Sequence, residues 1–233
     1  MPPRVSVLGT KKHWDSVYAQ EHLNYRNNSK DLGECWYSDS DAEEKIGQFV
    51  LDHFKRGKTG GLCDLGTGNG HLLLTLSKMG LLNSNMVGID YSQDSVSFAT
   101  DLVNSSSDDQ YTGICFYRSN FLLLNDQFLN KSSARFGLII DKGTLDAIYL
   151  STTKYEDGKR SGIQIYPARV ASMMKPAGIL LVTSCNFTAK ELIKTVTKDG
   201  IFKYWTQLHY PVFEFGGFKG SAVNTIAFRL IDR

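Results

Sequence analysis

The sequence predicts an α/β fold built on one mostly parallel sheet, and three observations carry that expectation. From about Gly60 onward, apolar runs alternate with helical patterns in the order βαβα. Two of the runs, Phe136 to Asp141 and Ile179 to Ser184, are almost continuously apolar, as parallel strands covered by helices on both faces are. The tail from Phe202 to Leu230 turns aromatic and β-branched and is broken by Phe215, Gly216, Gly217 and Gly220, which predicts two strands joined by a long hairpin. Together these give a Rossmann-like three-layer sandwich with a seven-stranded, mostly parallel sheet and a C-terminal antiparallel hairpin.

Taken in order, residues 1–39 hold Trp14, Tyr18, Tyr25, Trp36 and Tyr37, too aromatic a stretch for a disordered leader. It is expected to pack over the sheet as a flank or lid, with residues 40–233 forming a single domain. Ser40 and Glu43 have capping-box spacing and predict a helix that buries Ile46, Phe49, Val50 and Phe54. Leu62 to Leu65 reads as the first strand, and Leu72, Leu76 and Met79 mark a helix ended by Gly80. Met86 to Asp90 is the second strand. Ser92 is placed as the cap of a helix running through Val103, and Asn104 to Gly113 as a surface loop. Ile114 to Ser119 is the third strand. The Lys175 to Gly178 turn precedes the fifth, and Thr188 with Glu191 caps a further helix.

The chain has 233 residues, 42% hydrophobic and 21% charged, enough to bury one substantial core. Its 26 basic and 24 acidic residues leave a net charge of +2, with the basic ones scattered, so no nucleic-acid footprint is present. Residues 1–10 lack the apolar core of a signal peptide, and no segment approaches the roughly 20 apolar residues that span a bilayer. No membrane contact is expected; the expectation is a monomer in the cytoplasm, with the nucleus as a second location. Cys35, Cys63, Cys115 and Cys185 lie far apart, without a C-x-x-C pair or histidines at zinc-ligand spacing, so no metal site is expected.

Chemistry is concentrated in Asp64-Leu65-Gly66-Thr67-Gly68-Asn69-Gly70, where the first strand meets the first helix of the alternating region. The glycines permit a tight turn and let backbone N–H groups approach a ligand. The spacing is G-x-G-x-G, with His71 where a dinucleotide fingerprint holds its last glycine. A dinucleotide seats its pyrophosphate on the helix N-terminus. S-adenosylmethionine instead presents an amino acid whose ammonium wants an acid, and Asp64 is placed to serve. Asp90 ends the second strand about 20 residues beyond Gly70, the spacing of an acid that accepts from ribose hydroxyls. After the third strand, Asn120 and Phe121 stand where an adenine contact is expected, and Asn120 can accept through its carbonyl oxygen. Asp141-Lys142-Gly143-Thr144-Leu145-Asp146 ends the fourth strand, at the sheet edge where open α/β folds bind ligands. Two carboxylates there read equally well as holders of a cationic amine and as the entry of a helix capped by Thr144 or Asp146.

These motifs, with Leu8 to Lys11, Gly33 to Tyr37, Ser184 to Thr188 and Phe215 to Gly217, resemble the seven-stranded lysine methyltransferases that modify eukaryotic translation elongation factor 1-alpha. The resemblance runs from Leu8 to Leu230. It implies a cytoplasmic protein-lysine N-methyltransferase with S-adenosylmethionine as cofactor and elongation factor 1-alpha as protein partner. The cofactor set on this reading is Trp36, Asp64, Gly66, Gly68, Asn69, Gly70, Asp90, Tyr91, Asn120, Phe121 and Asp141. Asp141 and Asp146 are the catalytic candidates, and Asn186 and Phe187 line the acceptor channel. The chain departs from the family at Asn120, where Asp is usual, at Tyr37, where Phe is common, and in the long Asn104 to Gly113 loop. Two rival readings share these residues: a small-molecule methyltransferase on the same fold, and a non-catalytic cofactor-binding docking module.

Overall fold

A computed structural model describes residues 6–54, 60–81, 85–106, 111–131, 136–156, 158–211, 213–215, 218–220 and 222–231. The strands are β1 (Leu62–Leu65), β2 (Met86–Asp90), β3 (Ile114–Arg118), β4 (Phe136–Lys142), β5 (Lys154–Tyr155), β6 (Arg160–Ser161), β7 (Met174–Ser184), β8 (Phe202–Gln207), β9 (Phe213–Phe215), β10 (Phe218–Gly220) and β11 (Asn224–Leu230). The helices are α1 (Lys11–Asn27), α2 (Ala42–His53), α3 (His71–Lys78), α4 (Gln93–Ser105), α5 (Gln127–Lys131), α6 (Thr144–Leu150), α7 (Gly162–Ser172) and α8 (Ala189–Thr197). Seven strands form one sheet in the order β3-β2-β1-β4-β7-β11-β8. The first five of these run parallel, while β11 pairs antiparallel with both β7 and β8.

Alternation along the central strands sends neighbouring residues into two cores. Ile139, Leu180 and Val182 pack with Leu145 of α6, Tyr166 of α7 and Leu192 of α8. Leu138, Ile140 and Leu181 pack on the other face with Ile46 of α2, Leu72 of α3 and Phe98 of α4. This is the three-layer sandwich that two-sided apolar strands require. Strands are added outward from β1 to β2 and β3 on one side and then to β4 and β7 on the other, and the crevice this switch opens at the strand carboxyl ends positions the site.

Several expectations need correction. Ser40 and Glu43 form no capping box: Asp41 holds the N-cap position of α2 without a side-chain cap, and Ser40 ends a 3-10 turn. The Glu43 carboxylate is drawn instead to His71 and Lys142, whose charges outcompete a backbone N–H. Ser92 occupies the α4 N-cap but makes no side-chain cap bond; its own N–H donates to Asp90. Asn104 and Ser105, placed in a loop, complete α4, and residues 107–110 lie outside the described residues. The Lys175 to Gly178 turn is an irregular part of β7, with Ala177 left-handed and the β4 register shifting beside it. The Thr188 and Glu191 capping box is present in both directions, and Gly80 is left-handed just past α3. In the tail, the pair β9 and β10 interrupts the hairpin; Gly216 and Gly217 lie outside the described residues. No helix among the described residues is long and apolar enough to cross a membrane.

The aromatic N-terminal stretch is helical over α1, which lies on α4. His22 bonds Asp101 at 2.7 Å and its ring stacks on Phe98 at 5.5 Å. Ahead of it a 3-10 turn, Val7–Gly9, presses on the end of α6 so closely that a Cβ on Gly9 would lie 2.6 Å from the Ser151 nitrogen.

Candidate active site

The G-x-G-x-G turn folds as its glycines require. Gly66 and Gly68 have φ of 61° and 57°, a left-handed conformation that side-chain-bearing residues rarely adopt, and both line a cavity of about 370 Å³. Asp90 is 3% exposed and lines the same cavity. It accepts from Gly68 N at 3.1 Å and Ser92 N at 2.8 Å, which ties the turn to the end of β2. Burial pushes its carboxyl up to about 6, against the pull of those N–H groups. Tyr91 lines the cavity beside it, with the Lys11 ammonium 5.4 Å from its ring centre.

Asp64 and Gly70 stand behind this wall. Asp64 accepts from Thr67 Oγ1 at 2.8 Å, and burial pushes it up to about 7. Gly70 begins α3 as its N-cap. Asn69 lines the cavity and acts as a clasp: its Nδ2 donates to the carbonyls of Leu32 and Glu34, at 3.2 and 3.0 Å, and its Oδ1 accepts from His71 N. The segment over the cavity is thereby sewn to the glycine turn.

The two carboxylates that follow β4 have separate surroundings. Asp141 is fully buried and away from the cavity lining. It accepts from Thr144 N and Leu145 N at 2.9 and 3.1 Å, and from Tyr166 Oη at 2.7 Å. An acid accepting the first N–H groups of α6 serves the helix entry, although neither Thr144 nor Asp146 is the cap. Burial pushes Asp141 up to about 7. Thr144 instead donates to the Leu65 carbonyl at 2.6 Å, bracing α6 against the glycine turn. Asp146 does line the cavity; it accepts from Tyr37 Oη at 3.0 Å, from Cys185 N at 2.9 Å and from Ser184 Oγ. Asn186 lines the cavity beside it. Phe187 is buried against Tyr149, with ring centres 4.8 Å apart, in the core below.

On the far side, Asn120 and Phe121 both line the cavity. Asn120 Oδ1 accepts from Leu122 N at 3.3 Å, and Asp126 holds this loop through Ser119 Oγ and Asn120 N. Trp36 is 39% exposed and lines the mouth, edge-on to Trp14 at 5.6 Å.

The sequence reading missed much of the N-terminal wall, namely Lys11, Tyr18, Glu34 and Tyr37, and also Lys142. Lys142 Nζ lies 3.4 Å from both the Trp36 carbonyl oxygen and Glu43 Oε1. Glu43 also bonds His71 Nδ1 at 2.6 Å and Thr75 Oγ1 at 2.9 Å. Although burial opposes it, the His71 bond and the Lys142 charge hold the Glu43 carboxyl below its ordinary value. His71 is pushed up to about 10, first by its hydrogen bond with Cys35 and then by Glu43. Cys35, Glu43 and His71 thus come together, with ligand-type atoms within 4.8 Å of one another, from positions whose linear spacing gave no hint. Because Glu43 already serves His71, Thr75 and Lys142, the group acts as a charged clasp holding the covering segment to α2 and α3.

The methyltransferase domain family matches residues 57–217, from ahead of β1 to beyond β8 and short of β11, so the class is a Rossmann-like methyltransferase. Over 226 residues the chain is 40% identical to the protein-lysine N-methyltransferase EFM4 of Saccharomyces cerevisiae, covering 96% of this chain and 94% of that one. Over 228 residues it is 32% identical to the human EEF1A lysine methyltransferase 2, covering 96% and 87%. The chain belongs to the protein-lysine N-methyltransferase family that these two relatives represent. The fold is also that of the magnesium protoporphyrin IX methyltransferase from Synechocystis PCC 6803, solved with bound SAM, at 13% identity and a TM-score of 0.54, covering 92% of this chain and 97% of that one.

Proposed function

We propose that this chain transfers a methyl group from S-adenosylmethionine to a lysine of translation elongation factor 1-alpha. The observation that carries the reading is the placement of Asp90 and Asp146 on one cavity. Asp90 ends β2, and Asp146 lies in the first turn of α6, just after β4; β2 and β4 flank β1, so the two strand ends stand roughly 10 Å apart at the usual strand spacing. A nucleoside held at the first strand end therefore reaches toward the second with its sulfur-bearing arm.

The residues fit that cofactor. Gly66 and Gly68 leave the turn open where a Cβ on Gly68 would stand 2.5 Å from the Tyr18 hydroxyl. Asp90, with two N–H donors on its two oxygens, retains lone pairs for ribose hydroxyls. Tyr91 and Phe121 offer apolar walls for the adenine, Asn120 an amide beside it, and Trp36 a cover. Asp64 sits behind the turn as the acid for the ammonium, acting through the backbone or water.

The bound sulfonium supplies an electrophilic methyl group. The protein's part is alignment and exclusion of water. An unperturbed lysine is well under about 1% neutral at pH 7, so the acceptor must lose a proton to water as it enters. Asp146 and Tyr37 receive the entering ammonium, Asn186 lines its channel, and Asp141 keeps α6 in place beneath them. The covering segment, described over residues 6–39, acts as the lid. The same reading puts the protein in the cytoplasm with its substrate, acting as a monomer.

Tritiated S-adenosylmethionine incubated with the protein and a cell extract tests the reading. Label in a protein band at the size of elongation factor 1-alpha is expected. Label confined to the low-mass fraction would replace the protein substrate by a small molecule, and no transfer at all would leave only a docking module.

A further inference from the structure

We infer that the Tyr37 hydroxyl sets how many methyl groups the acceptor nitrogen takes, stopping the reaction before trimethyl-lysine. The inference rests on the lysine-methyltransferase reading above and deepens it.

Tyr37 is held in place with unusual insistence. Its backbone is left-handed, φ 66° and ψ 24°, a conformation that non-glycine residues seldom keep unless their surroundings enforce it. Its carbonyl accepts from Ser40 N at 3.1 Å and Ala42 N at 3.3 Å, anchoring the turn to the start of α2. Its ring lies 6.0 Å from the Lys142 ammonium, and its hydroxyl fills the space over Gly143, where a Cβ would come within 2.9 Å. Gly143 therefore makes room for this hydroxyl.

The hydrogen bonds then give the hydroxyl a direction. Its proton goes to Asp146 Oδ2, with Cys185 Sγ at 3.6 Å as a weaker neighbour. Asp146 is already well supplied, with Oδ2 also taking Cys185 N and Oδ1 taking Ser184 Oγ. Among the described residues, no hydrogen bond donates to the Tyr37 oxygen. What this corner of the cavity offers an incoming amine is a fixed oxygen lone pair backed by a carboxylate.

An amine that donates N–H to that oxygen has its rotation fixed and its lone pair turned elsewhere. In each round the nitrogen lone pair forms the new N–C bond, and the C–S bond breaks with its electron pair kept by sulfur. The product ammonium then releases a proton to water before the next round. A primary amine has two N–H groups and a monomethylated amine has one, so both can keep the bond to Tyr37 during transfer. A dimethylated amine has none. It must place a methyl group where the N–H stood, and a C–H contact to oxygen needs about 3.3–3.6 Å instead of about 2.9 Å. With the hydroxyl clamped between Gly143 and Asp146, the third transfer is the one that loses both its bond and its room.

Tyr37→Phe removes the oxygen and leaves the ring. Recombinant elongation factor 1-alpha, incubated with excess S-adenosylmethionine and either enzyme, is analysed by mass spectrometry over time. The wild type is expected to stop at mono- and dimethyl-lysine, and Tyr37→Phe to raise the trimethyl-to-dimethyl ratio about tenfold or more. Calorimetry with S-adenosylhomocysteine should give affinities within about twofold, since the ring and backbone are kept. An unchanged ratio, or wild-type enzyme that yields mainly trimethyl-lysine, overturns the inference. Should Tyr37→Phe lose its affinity for S-adenosylhomocysteine, elongation factor chemically dimethylated on its lysines decides with wild-type enzyme alone. Methylation of it as fast as of unmodified substrate overturns the inference, and its refusal supports it. Cofactor binding with no methyl on elongation factor under any condition would instead remove the substrate reading, and the inference with it.

Discussion

Asp90 ends β2 and Asp141 is next to last in β4, on either side of β1, and burial pushes both carboxyls up, but they face different things. Asp90 looks into the cavity and keeps acceptor capacity, so Asp90→Ala should weaken S-adenosylmethionine binding by about 1.5–3 kcal/mol, the worth of hydrogen bonds to a charged group. Isothermal calorimetry reads this, and unchanged affinity would remove the ribose assignment. Asp141 looks away from the cavity, with three donors bound: two from the start of α6 and one from Tyr166. Asp141→Ala leaves these buried donors unmatched and should lower unfolding free energy by about 2–3 kcal/mol in urea titration. Normal stability with lost turnover would return Asp141 to a catalytic part.

At the scale of elements, the covering segment is where sequence and structure part company. The strands and the glycine turn were legible because two-sided burial leaves continuous apolar runs and because glycine adopts left-handed turns facing a ligand at no steric cost. The pattern around Glu43 misled: its spacing from Ser40 is that of a capping box, but tertiary charges from His71 and Lys142 claimed the carboxylate. Helix α7 was obscured by Pro167 inside it, and α1 by a polar face with few apolar positions. Contacts such as Asn69 with Leu32 and Glu34 link residues more than 30 positions apart, and no local pattern encodes them. One consequence is directly testable. Because a Cβ on Gly9 would collide with the end of α6, Gly9→Val should detach the segment ahead of α1. Faster tryptic cleavage at Lys11 and Lys12 and weaker cofactor binding are expected; cleavage at the wild-type rate would show that this contact holds nothing.

For the whole molecule, buried ionisable groups set a pH dependence with a definite sign. Asp64 and Asp141 are raised to about 7 and Asp90 to about 6, with burial the leading cause in each. Between about pH 4, the ordinary carboxyl value, and pH 7, the folded chain therefore holds more protons than the unfolded one, and stability falls as pH rises. His71 adds to the trend. Its value is raised, by Cys35 and then Glu43, so its contribution is complete below about 6.5 and is lost as pH climbs through about 10. Urea midpoints should thus decline from pH 5 to 10, with Asp141→Asn flattening the lower part of the curve; a midpoint rising from pH 5 to 7 would contradict this. Of these groups Asp90 lines the cavity, and the others brace the turn, helix and covering segment around it; the cavity's purpose is to bring a sulfonium and a lysine together. The most direct test is peptide mass spectrometry of recombinant elongation factor 1-alpha after incubation with the protein and S-adenosylmethionine. The account predicts methyl-bearing lysine that disappears when the donor is omitted or Asp90→Ala replaces the wild type. Elongation factor recovered unmodified, from a protein shown to bind the donor, would contradict it.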